Sequence, residues 1–283
     1  MTSALQRLTL RGFRHVYGDS HIHFRSLAAP RALYWDLSAD AFLISYPKCG
    51  RTWLRFMMGS ALVEHFGLDA SVEERLELDG LGKYPGVPWV RVTHAGQPFL
   101  CRPEEFSNWA VRYVGKKVIF LARDPRDVLV SIYFQLTKRQ SHFVGTLPEF
   151  VMADRGSLRT IVSYYNSWLA KSRFTGSFHM VKYEELRSDP ARELTTIARF
   201  LDMDPSAETI ERAVAAATFD RMRALETDPA VQNERLSPKN KTDKESYKTR
   251  RGKVGGYVDY LDEGQREIVD AYIRRNLDPA FGY

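Results

Sequence analysis

Two kinds of apolar spacing alternate along this chain. Short apolar-rich runs occur at residues 42–45, 89–93, 117–121 and 178–182, and short runs bounded by turn residues predict strands. Longer stretches with apolar positions three and four apart predict helices over about 52–66, from 125 onward, and near 148–154, 157–172, 189–202, 206–217 and 263–276. Local chemistry supports some of these boundaries. Thr52 is able to cap the first helix, Asp124 is a strong N-cap before Pro125, and Asp127 suits the dipole of the first turn. Residues 67–89 are rich in loop residues, with Gly80, Gly82, Pro85, Gly86 and Pro88, and residues 226–256 form a polar stretch that reads as one long loop. No internal repeat or domain linker is visible. Strands alternating with helices predict a single α/β domain over 1–283, built on a central parallel sheet flanked by helices, with 1–35 as an N-terminal extension.

Composition narrows the partners. The chain has 283 residues, 44% hydrophobic and 27% charged, which is the composition of a globular protein. A net charge of +6 suits an anionic ligand, but no strongly basic tract with interleaved aromatics occurs, so nucleic acid is not an expected partner. Two cysteines, Cys49 and Cys101, exclude a disulfide framework and a Cys-rich zinc module. No apolar run reaches the roughly 18 residues that a membrane span requires. The first 18 residues carry Arg7, Arg11 and Arg14 without an acid, which resembles a transit peptide only faintly and reads as an ordinary basic segment. The expectation is a soluble, cytoplasmic protein.

Candidate chemistry gathers where strands end. In an open parallel sheet, ligands sit beyond the carboxyl ends of the strands. The first strand runs into "SYPKCGRTW", Ser45 to Trp53, a strand–loop–helix junction of the kind that binds anions through helix-start N–H groups. It lacks the Gly-x4-Gly-Lys-Ser/Thr string of the common phosphate loop. The second strand delivers His94, and the third delivers Arg123, with Ser131 about two turns into the following helix. Each residue alone has an ordinary structural explanation. Together they suggest two separate phosphate subsites.

These same residues carry a resemblance. "YPKCGRTW" resembles the YPKSGTTW loop of sulfotransferases that use 3'-phosphoadenosine-5'-phosphosulfate (PAPS). "VIFLARDPRDVLVSIYFQ" is similar to their 3'-phosphate signature, and "RRGKVGGY" to their Arg-Lys-Gly-x-x-Gly segment. The three motifs occur in the expected order, and the likeness spans about 42–282. It implies a P-loop-like three-layer α/β domain of the soluble, cytosolic type. It further implies transfer of a sulfonate from PAPS to the hydroxyl, or less favourably an amine, of a small-molecule acceptor, with PAP as product and no metal. Carried over by position, Lys48, Cys49, Gly50, Arg51, Thr52 and Trp53 would line the phosphosulfate and the adenine. Arg123 and Ser131 would hold the 3'-phosphate, with Arg250, Arg251 and Gly252 closing over it from the 226–256 loop. Tyr183 and Phe219 match aromatics at the adenine.

Sulfuryl transfer needs a cation at the leaving oxygen and a base for the acceptor proton. Lys48 is the candidate cation. His94, in "VRVTHAGQP", resembles the histidine base of the family's Lys-Thr-His segment. The lysine of that segment is Val92 here, and Arg91 would face the other side of the strand. Further departures are Cys49 for a serine, Arg51 for a threonine, Ala217 for an adenine-side threonine, and Gly255-Gly256-Tyr257 for Gly-Asp-Trp. Cys49 is either a small replacement for serine or a thiol activated by nearby cations. The dimer motif of animal cytosolic members is mostly missing, with only Glu267 matching, which leaves the oligomeric state open. Tyr84, Trp89, Phe99, Phe106, Trp109, Tyr133, Phe134 and Phe143 either line an aromatic acceptor pocket or belong to the core. The competing functions are a P-loop-type small-molecule kinase and a non-catalytic nucleotide-binding protein.

Overall fold

In the computed structural model, residues 36–106, 111–228, 231 and 252–283 are described. The predicted extension at 1–35 and most of the 226–256 loop, Arg250 and Arg251 included, lie outside the described residues. Four strands, β1 (Ala41–Ser45), β2 (Val90–Thr93), β3 (Lys117–Ala122) and β4 (Ser177–Lys182), form one sheet in the order β2-β1-β3-β4 with every pair parallel. Each strand is within two residues of its sequence-predicted bounds. The two central strands are the most apolar, and β1 is buried along its whole length because helices cover both faces of a parallel sheet.

Helix α1 (Arg51–Phe66) follows β1 and buries Leu54 through Val63 without interruption, as its nearly all-round apolar sequence demands. Thr52 does not cap it. The helix begins one residue earlier, at Arg51, and Gly50 serves as N-cap in the left-handed region with φ 91°. The predicted 67–89 loop contains a short helix, α2 (Val72–Glu77), closed by a reciprocal capping box between Ser71 and Glu74. That Ser-x-x-Glu signal stood in the sequence. Helix α3 (Pro125–Phe134) follows β3, and Asp124 caps it by accepting from the Arg126 N–H.

Helices α4 (Leu147–Val151) and α5 (Leu158–Ser172) lead to β4. Helix α5 lays Tyr164, Tyr165 and Trp168 against Phe120 at the sheet centre, with ring centroids 5.7 Å apart for Phe120–Tyr165 and 6.0 Å for Phe120–Trp168. After β4 come α6 (Tyr183–Ser188), α7 (Pro190–Phe200), α8 (Ala207–Ala216) and α9 (Phe219–Thr227). The last of these fills the stretch between the predicted 206–217 helix and the predicted 226–256 loop, overlapping the loop by two residues, and Thr218 caps it. A 3₁₀ turn at Gly256–Asp259, helix α10 (Glu263–Asn276) and a last 3₁₀ turn at Pro279–Phe281 follow.

The strand order reverses direction at β1, whose neighbours are β2 on one side and β3 on the other. That makes the β1/β3 carboxyl edge a topological switch point, where the two outgoing loops part and leave a crevice.

Candidate active site

The crevice is lined by Lys48, Gly50, Arg51, Thr52 and Trp53 from the first junction, His94 from the end of β2, Arg123 and Ser131 from β3–α3, and Tyr183, Phe219 and Gly252. Eleven positions expected from the sequence thus surround one cavity. Cys49 is the exception within the loop. Its side chain is fully buried, and the thiol lies 3.3 Å from the Tyr165 hydroxyl. Burial pushes the thiol pKa up to about 12, against the opposing pull of the Tyr165 hydrogen bond and the Arg123 cation. Cys49 therefore packs as a small core residue and is not an activated nucleophile.

Backbone shape at the first junction explains its glycine. Lys48 and Gly50 both sit in the left-handed region, with φ 75° and 91°. A Cβ on Gly50 would stand 2.6 Å from the Tyr183 ring, so the loop and the aromatic wall approach each other only through glycine. No side chain caps α1; the Trp53 N–H turns back to the Gly50 carbonyl at 3.0 Å, and the helix start ahead of it faces the cavity where an anion would sit. Lys48 Nζ donates a long bond of 3.5 Å to Gln135 Oε1, on the single π-helical turn that follows α3.

His94 is held from two sides. Its Nδ1 lies 2.7 Å from the Ser45 carbonyl oxygen, and a carbonyl only accepts, so Nδ1 carries the proton. The Nε2 lone pair then faces Arg51, whose Nη2 donates to it at 2.7 Å. Tyr164 Oη donates to the His94 carbonyl at 2.9 Å, which anchors the backbone as well. Arg91, as expected from strand alternation, turns away and binds Asp36 and Asp79. Val92 packs against the core. The cation that reaches His94 comes from α1 rather than from β2.

Arg123 ties three segments together. Nη1 donates to the Lys48 carbonyl at 3.3 Å, and Nη2 to Asp127 at 3.2 Å and to the Lys253 carbonyl at 3.0 Å. Its Cζ stands 4.5 Å over the Tyr183 ring, and its Nε is buried without a hydrogen-bond partner. A buried guanidinium N–H left in this state calls for an acceptor. Asp127, expected only to favour the helix dipole, is 3% exposed and does more. Its two oxygens accept from the Gly255 and Tyr257 N–H groups at 2.9 Å each, which pins the third motif onto α3.

The opposite wall is aromatic. Trp53 and Tyr183 meet edge to face at 5.9 Å, and Trp53 Nε1 donates to the Ala217 carbonyl at 2.7 Å. Position 217 thus contributes its backbone where the side chain is too small to contribute anything. Gly252 sits with φ 60° against Phe219, whose ring would be 3.1 Å from an added Cβ. Arg187, not expected from the sequence, lies 5.6 Å over the Trp53 ring. It stands four residues after Tyr183 on α6, a spacing that shares one helix face and was readable once Tyr183 had been placed.

The aromatics named as an acceptor wall are otherwise engaged. Phe106 packs on Tyr164, Phe143 on Phe150, Phe134 on Tyr260, and the Tyr133 hydroxyl donates to the Gly145 carbonyl. None of those described lines the cavity, and Trp109 lies outside the described residues. Among the described residues, no cluster of three His, Cys, Asp or Glu side chains could hold a metal, and no helix is long and apolar enough to cross a membrane.

An array of cations, uncapped helix-start amides and flat rings fits a nucleotide that carries more than one anionic group. Comparison with known proteins agrees. The sulfotransferase domain model matches residues 38–280. Sulfotransferase 1B1 of Mus musculus is 26% identical over 285 aligned positions, covering 90% of this chain and 91% of its own. In fold, the chain is similar to mouse sulfotransferase SULT7A1 complexed with PAP, with TM-score 0.57, 19% identity and coverage of 88% and 90%. It is also similar to retinol dehydratase in complex with androsterone and PAP, with TM-score 0.52, 18% identity and coverage of 84% and 80%.

Proposed function

The chain belongs to the sulfotransferase domain family and is a PAPS-dependent sulfotransferase, and we propose that His94 and Lys48 carry its chemistry in the β1/β3 crevice. The observation that carries this reading is the convergence of a tautomer-fixed histidine, a loop lysine and a partly unsatisfied arginine on one cavity. The donor supplies an activated sulfonate: an O–S bond to the acceptor forms, the S–O bond to the 5'-phosphate breaks, and that electron pair stays on the phosphate. His94 takes the proton of the acceptor hydroxyl at Nε2, while its Nδ1–H stays on the Ser45 carbonyl and steadies the ring. Lys48 provides the cation that meets charge growing on the leaving oxygen, together with the α1 amides after Gly50.

The remaining residues bind. Arg123 and Ser131 hold the 3'-phosphate, with Gly252 and, outside the described residues, Arg250 and Arg251 closing over it. Trp53, Tyr183 and Phe219 grip the adenine, and Thr52 and the backbone of Cys49 belong to the phosphosulfate loop. The acceptor is a small molecule with a hydroxyl group, a choice supported by the mixed apolar and polar lining that includes Val130, Met222 and Tyr260. The whole chain acts as one domain, and its two free thiols suit a reducing cytoplasm.

Incubation with radiolabelled PAPS and a panel of hydroxylated acceptors in EDTA should label at least one acceptor, and PAP should raise the melting temperature. Magnesium-dependent ATP turnover without PAPS turnover would favour a kinase instead. Asp127→Asn places an amide where two backbone N–H groups and Arg123 need an acceptor. It should weaken PAP binding about tenfold while leaving His94 untouched. Unchanged PAP affinity by calorimetry would show that the Gly255–Tyr257 clamp does not shape the nucleotide site.

A further inference from the structure

Arg51 occupies the position that the proposed mechanism needs for its substrate. Its guanidinium donates to His94 Nε2 at 2.7 Å, the lone pair that must accept the acceptor's proton. The histidine is fixed from behind through the Ser45 carbonyl and through its own carbonyl, which binds Tyr164. The imidazole is thus held on its far side, and a group that reaches Nε2 has to displace the guanidinium of Arg51, a half-buried residue with a long side chain. An arginine always carries its protons, so this contact cannot reverse its polarity, and the base is masked whenever the contact is made.

We propose that Arg51 is a positioning residue that gates the general base, keeping Nε2 closed to water until a bound acceptor displaces the guanidinium. This rests on His94 being the base. The discrimination comes from binding energy. An acceptor held by the rest of its surface gains enough to offset the Arg51–His94 bond, and a lone water does not. If water reached the open base, its proton would pass to Nε2 and its oxygen would bond to sulfur. The bond to the 5'-phosphate would break, leaving PAP and hydrogen sulfate. The donor would be wasted. The gate lies on the first turn of α1, the same turn that faces the donor, so masking and donor binding share one element.

The first test needs no donor. Diethyl pyrocarbonate acylates an accessible neutral imidazole nitrogen, and mass spectrometry of peptides locates the adduct. In the full-length protein without nucleotide, His94 acylation should be slow, rise about tenfold in Arg51→Ala, and fall back in Arg51→Lys, which restores a cation. The second test compares two products of the same enzyme: free sulfate without acceptor, and sulfonated acceptor with it. Their ratio should rise about tenfold in Arg51→Ala, whatever happens to PAPS affinity. Equal acylation rates in wild type and both variants would overturn the gate. So would a raised acylation rate with an unchanged product ratio. Arg51→Gln, with circular dichroism and PAP-induced stabilisation as folding controls, repeats both measurements if the alanine variant is unstable. Failure of the base assignment is seen separately, as full transfer by a protein lacking His94.

Discussion

His94→Ala lowers the turnover number for sulfonate transfer by about 10²–10⁴, the range for losing a positioned general base. The substitution removes the imidazole whose Nε2 lone pair faces Arg51 at the cavity. It should not unfold the protein. The Ser45 carbonyl loses the Nδ1–H and shares the single Tyr164 hydroxyl proton with the carbonyl of residue 94, at 3.2 and 2.9 Å, so the cost is about that of one hydrogen bond. PAP affinity, read by calorimetry, is expected to stay within about threefold, because a base contributes to the transition state rather than to nucleotide binding. Steady-state kinetics with the best acceptor from the panel decide the matter. Retention of wild-type turnover would mean that another group, or the acceptor's own ionisation, removes the proton.

Lys48→Met should cost on the order of 10²–10³ in turnover number, the typical loss for one preorganised electrostatic donor. Methionine preserves most of the aliphatic stem. It also meets the same left-handed backbone, φ 75°, that lysine already tolerates, so the fold bears no new strain. The 3.5 Å contact to Gln135 is long and its loss is minor. The informative quantity is the split between kinetic constants. A fall in kcat larger than any rise in the KM for PAPS would place the ammonium on the developing charge. A rise in KM alone, with kcat kept within about threefold, would make Lys48 a binding residue and move the leaving-group role elsewhere.

Much of this site was legible before any coordinates. Asp124 and Pro125 marked the start of α3, and Ser71 with Glu74 marked a capping box that the loop-rich surroundings hid. The three motif segments identified the residues around the cavity, because strand ends and glycine-permitted turns are local features. Other elements were misread where two local signals competed. Thr52 looked like a cap because its hydroxyl suits that role, but Gly50 alone fits the left-handed turn against Tyr183. Helix α9 went unassigned between the 206–217 helix and the polar loop because its amphipathic face is weak and only Met222 and Glu226 are buried. The aromatics at 84–143 carried no label separating core from pocket, since ring chemistry is the same in both.

The amino-acid sequence by itself determined the strand–helix alternation, the anion-binding junction and the residues offered at each strand end. These follow from periodicity and turn chemistry, which act over a few residues. The tertiary structure alone decided which of those residues meet. Arg51 and His94 are 43 positions apart, and Asp127 and Gly255 are 128 apart. Parallel register places Ile44 beside Thr93 on one side and Phe120 on the other, so the loops after β1, β2 and β3 emerge at one edge. Only that packing aims the Arg51 guanidinium at His94, and turns a dipole-stabilising Asp127 into the clamp of a distant segment.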